Sequence, residues 1–138
     1  PMPRPGCSEI YRGRREGLRT EDLAGRFPEA WASWAEEPNW DLVPGGEGSV
    51  AFEARVGLAL DALFRRHPQG DVLVVTHGGV IKIARHHVVG RPGRGIFPFR
   101  IQNASVSVLE RRNGRVVVSG VNDIGHLEIG TVAAPEIA

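Results

Sequence analysis

Asp71-Val72-Leu73-Val74-Val75-Thr76-His77-Gly78-Gly79-Val80-Ile81-Lys82 is the stretch on which the reading of this chain turns. Val72–Val75 is apolar without alternation and rich in β-branched valine. Such a run predicts a strand covered on both faces, as in a parallel sheet. Thr76-His77-Gly78-Gly79 then turns the chain into a helix expected from Val80 to Val89 and closed by Gly90. Ligands of open α/β sheets collect at the carboxyl ends of strands, where the next helix offers unpaired N–H groups to a phosphate. Gly78 and Gly79 carry no Cβ and so let a ligand approach the backbone. His77, first beyond the strand, is the residue expected to carry chemistry. As imidazolium it binds a phosphoryl oxygen, and as imidazole it moves a proton.

Upstream, Ser49 is expected to cap the best helix of the chain, with Phe52, Val56, Leu60 and Phe64 on one apolar stripe. Thr20 with Glu21 and Asp22 marks a shorter helix ending near Arg26. Pro28 opens another, where Trp31 and Trp34 share a packing face. Pro38 to Gly48 is a loop around Pro44-Gly45-Gly46. Downstream, Asn103–Arg112 and Arg115–Val121 flank Asn113-Gly114, a strong hairpin signal. The expected class is therefore α/β, with an antiparallel pair toward the C-terminus.

The 138 residues suit a single domain, and the residues from 128 to 138 are expected to form a loose tail. A net charge of +1 announces neither nucleic acid nor a cationic partner. Cys7 is the only cysteine, which excludes an internal disulfide and a cysteine metal site. His86 and His87 diverge by about 100° on a helix and make a poor metal pair, so no metal is expected. No apolar run approaches the roughly 20 residues of a membrane helix and no signal peptide opens the chain, so the expected address is cytoplasmic, without a membrane partner. A serine hydrolase would need G-x-S-x-G, which does not occur.

Several segments together resemble the histidine phosphatase superfamily (phosphoglycerate mutase-like proteins). Val74 to Lys82 resembles its second catalytic-histidine motif. Glu9-Ile10-Tyr11-Arg12-Gly13-Arg14-Arg15-Glu16-Gly17 is similar to the family's E-x-x-x-G-x-x-E-G. Pro44-Gly45-Gly46-Glu47 with Arg55 resembles a P-G-G-E-S helix start, Gly48 standing in place of serine. Asn103–Val106, and Asn122-Asp123 through His126-Leu127, resemble the closing signatures. The likeness runs from about Glu9 to Leu127.

The resemblance implies a mixed, mainly parallel sheet with flanking helices. It implies phosphoryl transfer through a phosphohistidine, without metal or cofactor, on a small phosphorylated metabolite or inorganic phosphate. His77 would be the second phosphoryl-binding histidine and Glu9 the acid/base, with Gly78, Gly79 and Arg12 binding substrate. Arg14 and Arg15 could reach an anionic substrate as well; Glu16, Glu47 and His126 are expected to be structural. T-H-G-G-V-I-[RK] is more similar to the phosphatase branch than to the mutases. A phosphoglycerate mutase-type phosphotransferase and a non-catalytic phosphate- or partner-binding module are the alternatives.

The family's R-H-G nucleophile is missing. Arg66-His67 ends a helix, and Arg85-His86 lies inside one. The chain is therefore expected to be the C-terminal portion of such a domain, lacking the first strand or strands and inactive alone. Completion of the sheet by that portion, or by a homodimer or strand exchange, is expected.

Overall fold

The computed structural model describes residues 2–36, 39–90 and 100–128, so the expected C-terminal tail lies, beyond Glu128, outside the described residues. The chain divides into two units, Pro1–Phe99 and Arg100–Ala138.

The first unit is built on helices. After a 3-10 turn at Pro5–Cys7 and another at Gly13–Arg15 come α1 (Thr20–Arg26) and α2 (Pro28–Glu36). A third 3-10 turn at Trp40–Leu42 leads to α3 (Ser49–Arg66) and α4 (Gly78–Val89). The first half of the α3 stripe behaves as its spacing predicts: Phe52 and Val56 are buried against Ile10, Val80 and Ile83, with Trp40 and Ala84 at the margin, while Leu60 and Phe64 are half-buried. A small core thus joins α3, α4 and the loop carrying Ile10. His87 adds a contact between the helices, with Nε2 at 3.0 Å from Asp61 Oδ1 and its ring packed over Gly57.

The helix starts differ from expectation in how they are capped. Thr20 is the first residue of α1, and Arg19 precedes it without a side-chain cap. Ser49 likewise lies inside α3, and its N–H donates to Asp41 Oδ1 at 2.6 Å. A carboxylate from the preceding loop therefore does the capping that serine was expected to do. α4 begins at Gly78, two residues before the expected Val80.

The largest departure is Val72–Val75. This expected buried strand pairs with no other strand among the described residues, and Leu73 and Val75 are 87% and 89% exposed. A strand covered on both faces needs a hydrogen-bonded neighbour on each side and a layer above and below. The described part of this unit supplies none. One tie is present, from Thr76 Oγ1 to the Cys7 carbonyl at 2.6 Å.

The second unit holds the described sheet, an antiparallel pair of β1 (Val106–Arg112) and β2 (Arg115–Asp123), followed by the short α5 (Gly125–Glu128). The hairpin forms where Asn113-Gly114 predicts it. Both residues have positive φ, 48° and 75°, as a primed two-residue turn requires. Asn122 fastens the start of the unit, accepting from the Gln102 N–H at 2.6 Å. No helix among the described residues is long and apolar enough to cross a membrane.

Phe52 is fully buried at the centre of the first core, whereas Val50 on the same helix is 81% exposed. Phe52→Ala is expected to cost about 3–5 kcal/mol and Val50→Ala less than about 0.5 kcal/mol. Urea unfolding followed by circular dichroism would read the contrast as a large midpoint shift for Phe52→Ala alone.

Candidate active site

Glu9 is placed by its neighbour. Ile10 is buried in the core, which fixes the backbone beside the carboxylate. Glu9 Oε1 accepts from the Ile10 N–H at 2.9 Å, and Oε2 accepts from the Gly79 N–H at 3.2 Å. Gly79 is the second residue of α4, so the carboxylate rests at the positive end of that helix. Val80, the next residue, belongs to the same core cluster as Ile10. One packed cluster thus holds the neighbours of both partners in the hydrogen bond. A Cβ on Gly79 would collide with Glu9 Oε1, so this approach depends on glycine.

His77 precedes α4 in an extended conformation (φ −112°, ψ 162°), and its side chain is exposed and makes no capping bond to the helix. Its carbonyl accepts from the Ile81 N–H at 3.1 Å. The turn therefore holds His77 by its backbone and leaves the ring to solvent.

A second set of contacts surrounds the Glu9 loop. Arg55 Nε and Nη2 donate to Glu47 Oε1 and Oε2 at 2.7 and 2.8 Å, a two-pronged ion pair. Arg55 Nη1 also reaches the carbonyls of Pro5, Gly6 and Ser8 at 3.2, 3.2 and 3.0 Å, and Nη2 that of Glu9 at 3.4 Å. Glu47 in turn accepts the Tyr11 N–H at 3.2 Å, while its own N–H donates to the Tyr11 carbonyl at 2.9 Å. The hydrogen bond from Arg55 holds the Glu47 carboxyl below the ordinary carboxylate range, the Tyr11 N–H and the Arg55 charge assist, and burial opposes. The same hydrogen bond raises the Arg55 guanidinium.

Glu9, Tyr11, Arg12, Glu16, Glu47 and Arg55 share the lining of a cleft of about 550 Å³. Arg12 lines this cleft with Glu9, and Glu16 Oε1 accepts its N–H at 2.6 Å. Arg14 and Arg15 face elsewhere. Their guanidinium groups lie over Phe27 and Trp34, at 5.3 and 5.0 Å from the ring centroids. Trp34 itself stacks on Trp40, and Arg15 is buried, which together with the Arg12 charge lowers its pKa. Gly13, at φ +49°, lets the loop press on the Gly45 carbonyl, where a Cβ would clash. No three His, Cys, Asp or Glu side chains among the described residues converge as metal ligands.

The structure therefore joins Glu9 to Gly79 by a hydrogen bond, places Arg12 in the cleft that Glu9 also lines, and keeps His77 at the adjoining helix start, outside that lining. Arg55 is the residue whose importance the sequence understated. Its visible signal is an acid just before a helix and an arginine eight positions on, two turns into that helix.

Two predictions follow from these contacts. Gly79→Ala is expected to push the Glu9 carboxylate off the helix start with little loss of fold. A nuclear Overhauser contact between the Glu9 side chain and the residue 79 amide that is unchanged in that variant would contradict it. Glu47 has a folded pKa below its unfolded one, so the unfolded state binds more protons between the two values. Its stabilisation is therefore complete above the unfolded pKa of about 4.3 and is lost as pH falls through the folded value. Glu47→Gln should be less stable than the parent by about 2 kcal/mol near neutrality. The gap should close as urea-unfolding midpoints are followed downward from about pH 5.

The chain is 29% identical over 126 residues to the metal-independent phosphoserine phosphatase of Arabidopsis thaliana, covering 89% of this chain and 50% of that protein. It is 26% identical to the adenosylcobalamin/alpha-ribazole phosphatase of Escherichia coli (strain K12), covering 77% of this chain and 52% of that protein. The chain spans about half the length of the curated relatives it matches. Among solved structures, Bacillus stearothermophilus YhfR superposes with a TM-score of 0.78 at 26% identity, over 89% of this chain and 61% of that one. The alpha-ribazole phosphatase from Shigella flexneri shares the fold, with a TM-score of 0.74 at 22% identity over 87% of this chain and 59% of that one. The α/β fold is thus that of phosphoglycerate mutase-like structures. The histidine phosphatase superfamily (branch 1) matches residues 2–124, and the chain belongs to that family.

Proposed function

We propose that this chain is part of a phosphomonoesterase of the histidine phosphatase type, acting on a small phosphorylated metabolite. The observation that carries the reading is the Glu9 carboxylate on the Gly79 N–H at 3.2 Å, which joins groups 70 residues apart in sequence. An acid is thereby held beside the turn that presents His77. In this reading a histidine outside these 138 residues attacks phosphorus; its P–N bond forms as the P–O bond to the leaving alkoxide breaks. Glu9 gives its proton to that oxygen. Water then attacks the phosphohistidine, Glu9 takes the water's proton, and phosphate departs as the P–N bond breaks. His77, Arg12 and the N–H groups of Gly78 and Gly79 would hold phosphoryl oxygens or the substrate beside them. The glycine at position 79 supports hydrolysis over transfer between phosphoglycerates.

The same reading assigns the exposed Val72–Val75 run to a mainly parallel sheet whose other strands come from outside this chain or from a second copy. It places the protein in the cytoplasm. A second reading, a phosphate-binding module without turnover, draws on one observation: no R-H-G occurs in these residues.

Hydrolysis of p-nitrophenyl phosphate by the full-length protein, with His77→Ala as control, separates the two. Turnover that falls by about 100-fold or more in His77→Ala is expected for the enzyme. Binding of vanadate without any hydrolysis would leave only the module.

A further inference from the structure

We propose that the Glu47–Arg55 pair is a positioning device for Glu9, setting where its carboxylate stands at the start of α4. The inference rests on Glu9 as the acid/base of the proposed enzyme, and goes beyond it by assigning the groups that aim it.

The bonds of the pair are directed at both sides of Glu9. Arg55 takes the carbonyls of Pro5, Gly6, Ser8 and Glu9 itself. Glu47 Oε2 accepts from the Tyr11 N–H, and the Glu47 backbone N–H donates to the Tyr11 carbonyl. Glu9 thus stands between two fastened points, and its backbone has little freedom to swing the carboxylate away from Gly79. The anchor is rigid: Arg55 lies on α3 between Phe52 and Val56, both buried in the core. Its guanidinium lies 5.1 Å from the Phe52 ring centroid, which steadies the plane of the fork. A planar fork can serve a carboxylate and several carbonyls at once, whereas an ammonium is a single point of charge. A shift of about 1 Å at a reacting group is enough to cost a large factor in rate, so such anchoring matters to a proton donor.

Nuclear magnetic resonance of the labelled full chain tests this without turnover. Parent protein is titrated with acid while the Gly79 amide and the Glu9 carboxyl carbon are followed. They are expected to move together, and Glu9→Gln is expected to abolish the Gly79 response. In Arg55→Lys and Glu47→Gln the amplitude of the Gly79 response should fall below half, while Ile83 and the Asn113-Gly114 hairpin keep their spectra. A full Gly79 response in either folded variant overturns the proposal. So does loss of cooperative unfolding in both variants, because the pair would then hold the fold rather than aim one side chain. A Gly79 amide indifferent to Glu9 in the parent overturns it as well. A failed phosphatase assay leaves this readout unaffected, so the two readings fall separately.

Discussion

Arg55 answers a problem that the N-terminal segment cannot solve alone. Apart from one 3-10 turn, residues 5–12 lie outside any helix or strand, so their backbone groups need partners from elsewhere. Arg55 supplies partners for that segment's carbonyls, from a side chain held in place by its own helix. Its fork meets Glu47 and then a row of carbonyls, from Pro5 to Glu9. An exposed ion pair contributes little, but this one is largely buried, with side-chain exposures of 26% and 16%. Its worth lies in the hydrogen bonds that share the charge, each stronger than a neutral one. Removing either partner would strand the other's charge among groups arranged to receive it.

The core completes what the ion pair begins. Ile10 and Val80 touch the same buried cluster, and each stands next to one end of the Glu9–Gly79 hydrogen bond. Packing therefore sets the spacing between the loop and the start of α4, and the missing Cβ of Gly79 lets the carboxylate use it. The arginines that follow Glu9 are sorted by the same local geometry. Arg12 stays at the cleft, while the 3-10 turn at Gly13–Arg15 sends Arg14 and Arg15 onto aromatic rings.

Patterns that depend on near neighbours were legible in the sequence. The α3 stripe, the Asn113-Gly114 turn and the helix following Gly78-Gly79 all follow from residues within a turn or two of one another. The approach of Glu9 to the α4 start was legible only through resemblance, since nothing in the spacing of residue 9 and residue 79 implies contact. Val72–Val75 shows the opposite failure. Its composition states that it suits a doubly covered strand, but composition cannot supply the neighbours, and 87–89% exposure of Leu73 and Val75 is the result. Capping was misread for a smaller reason: a serine before a helix is a good cap, yet Asp41 reaches the Ser49 N–H from a loop eight residues back.

The two glutamates of the site show how one chain assigns acids to different work. Glu47 is gripped directly by a guanidinium, and that grip holds it ionised below the ordinary carboxylate range. A carboxylate so bound is a poor proton donor, because giving it a proton means breaking the pair. Glu9 is fastened differently. Arg55 binds its carbonyl, and the carboxylate oxygens accept from the N–H groups of Ile10 and Gly79. The cation thus orders the backbone of the proposed acid without a hydrogen bond to its carboxylate. Charge pairing and placement are thus divided between two residues: the guanidinium binds the carboxylate of Glu47 but only the backbone carbonyl of Glu9.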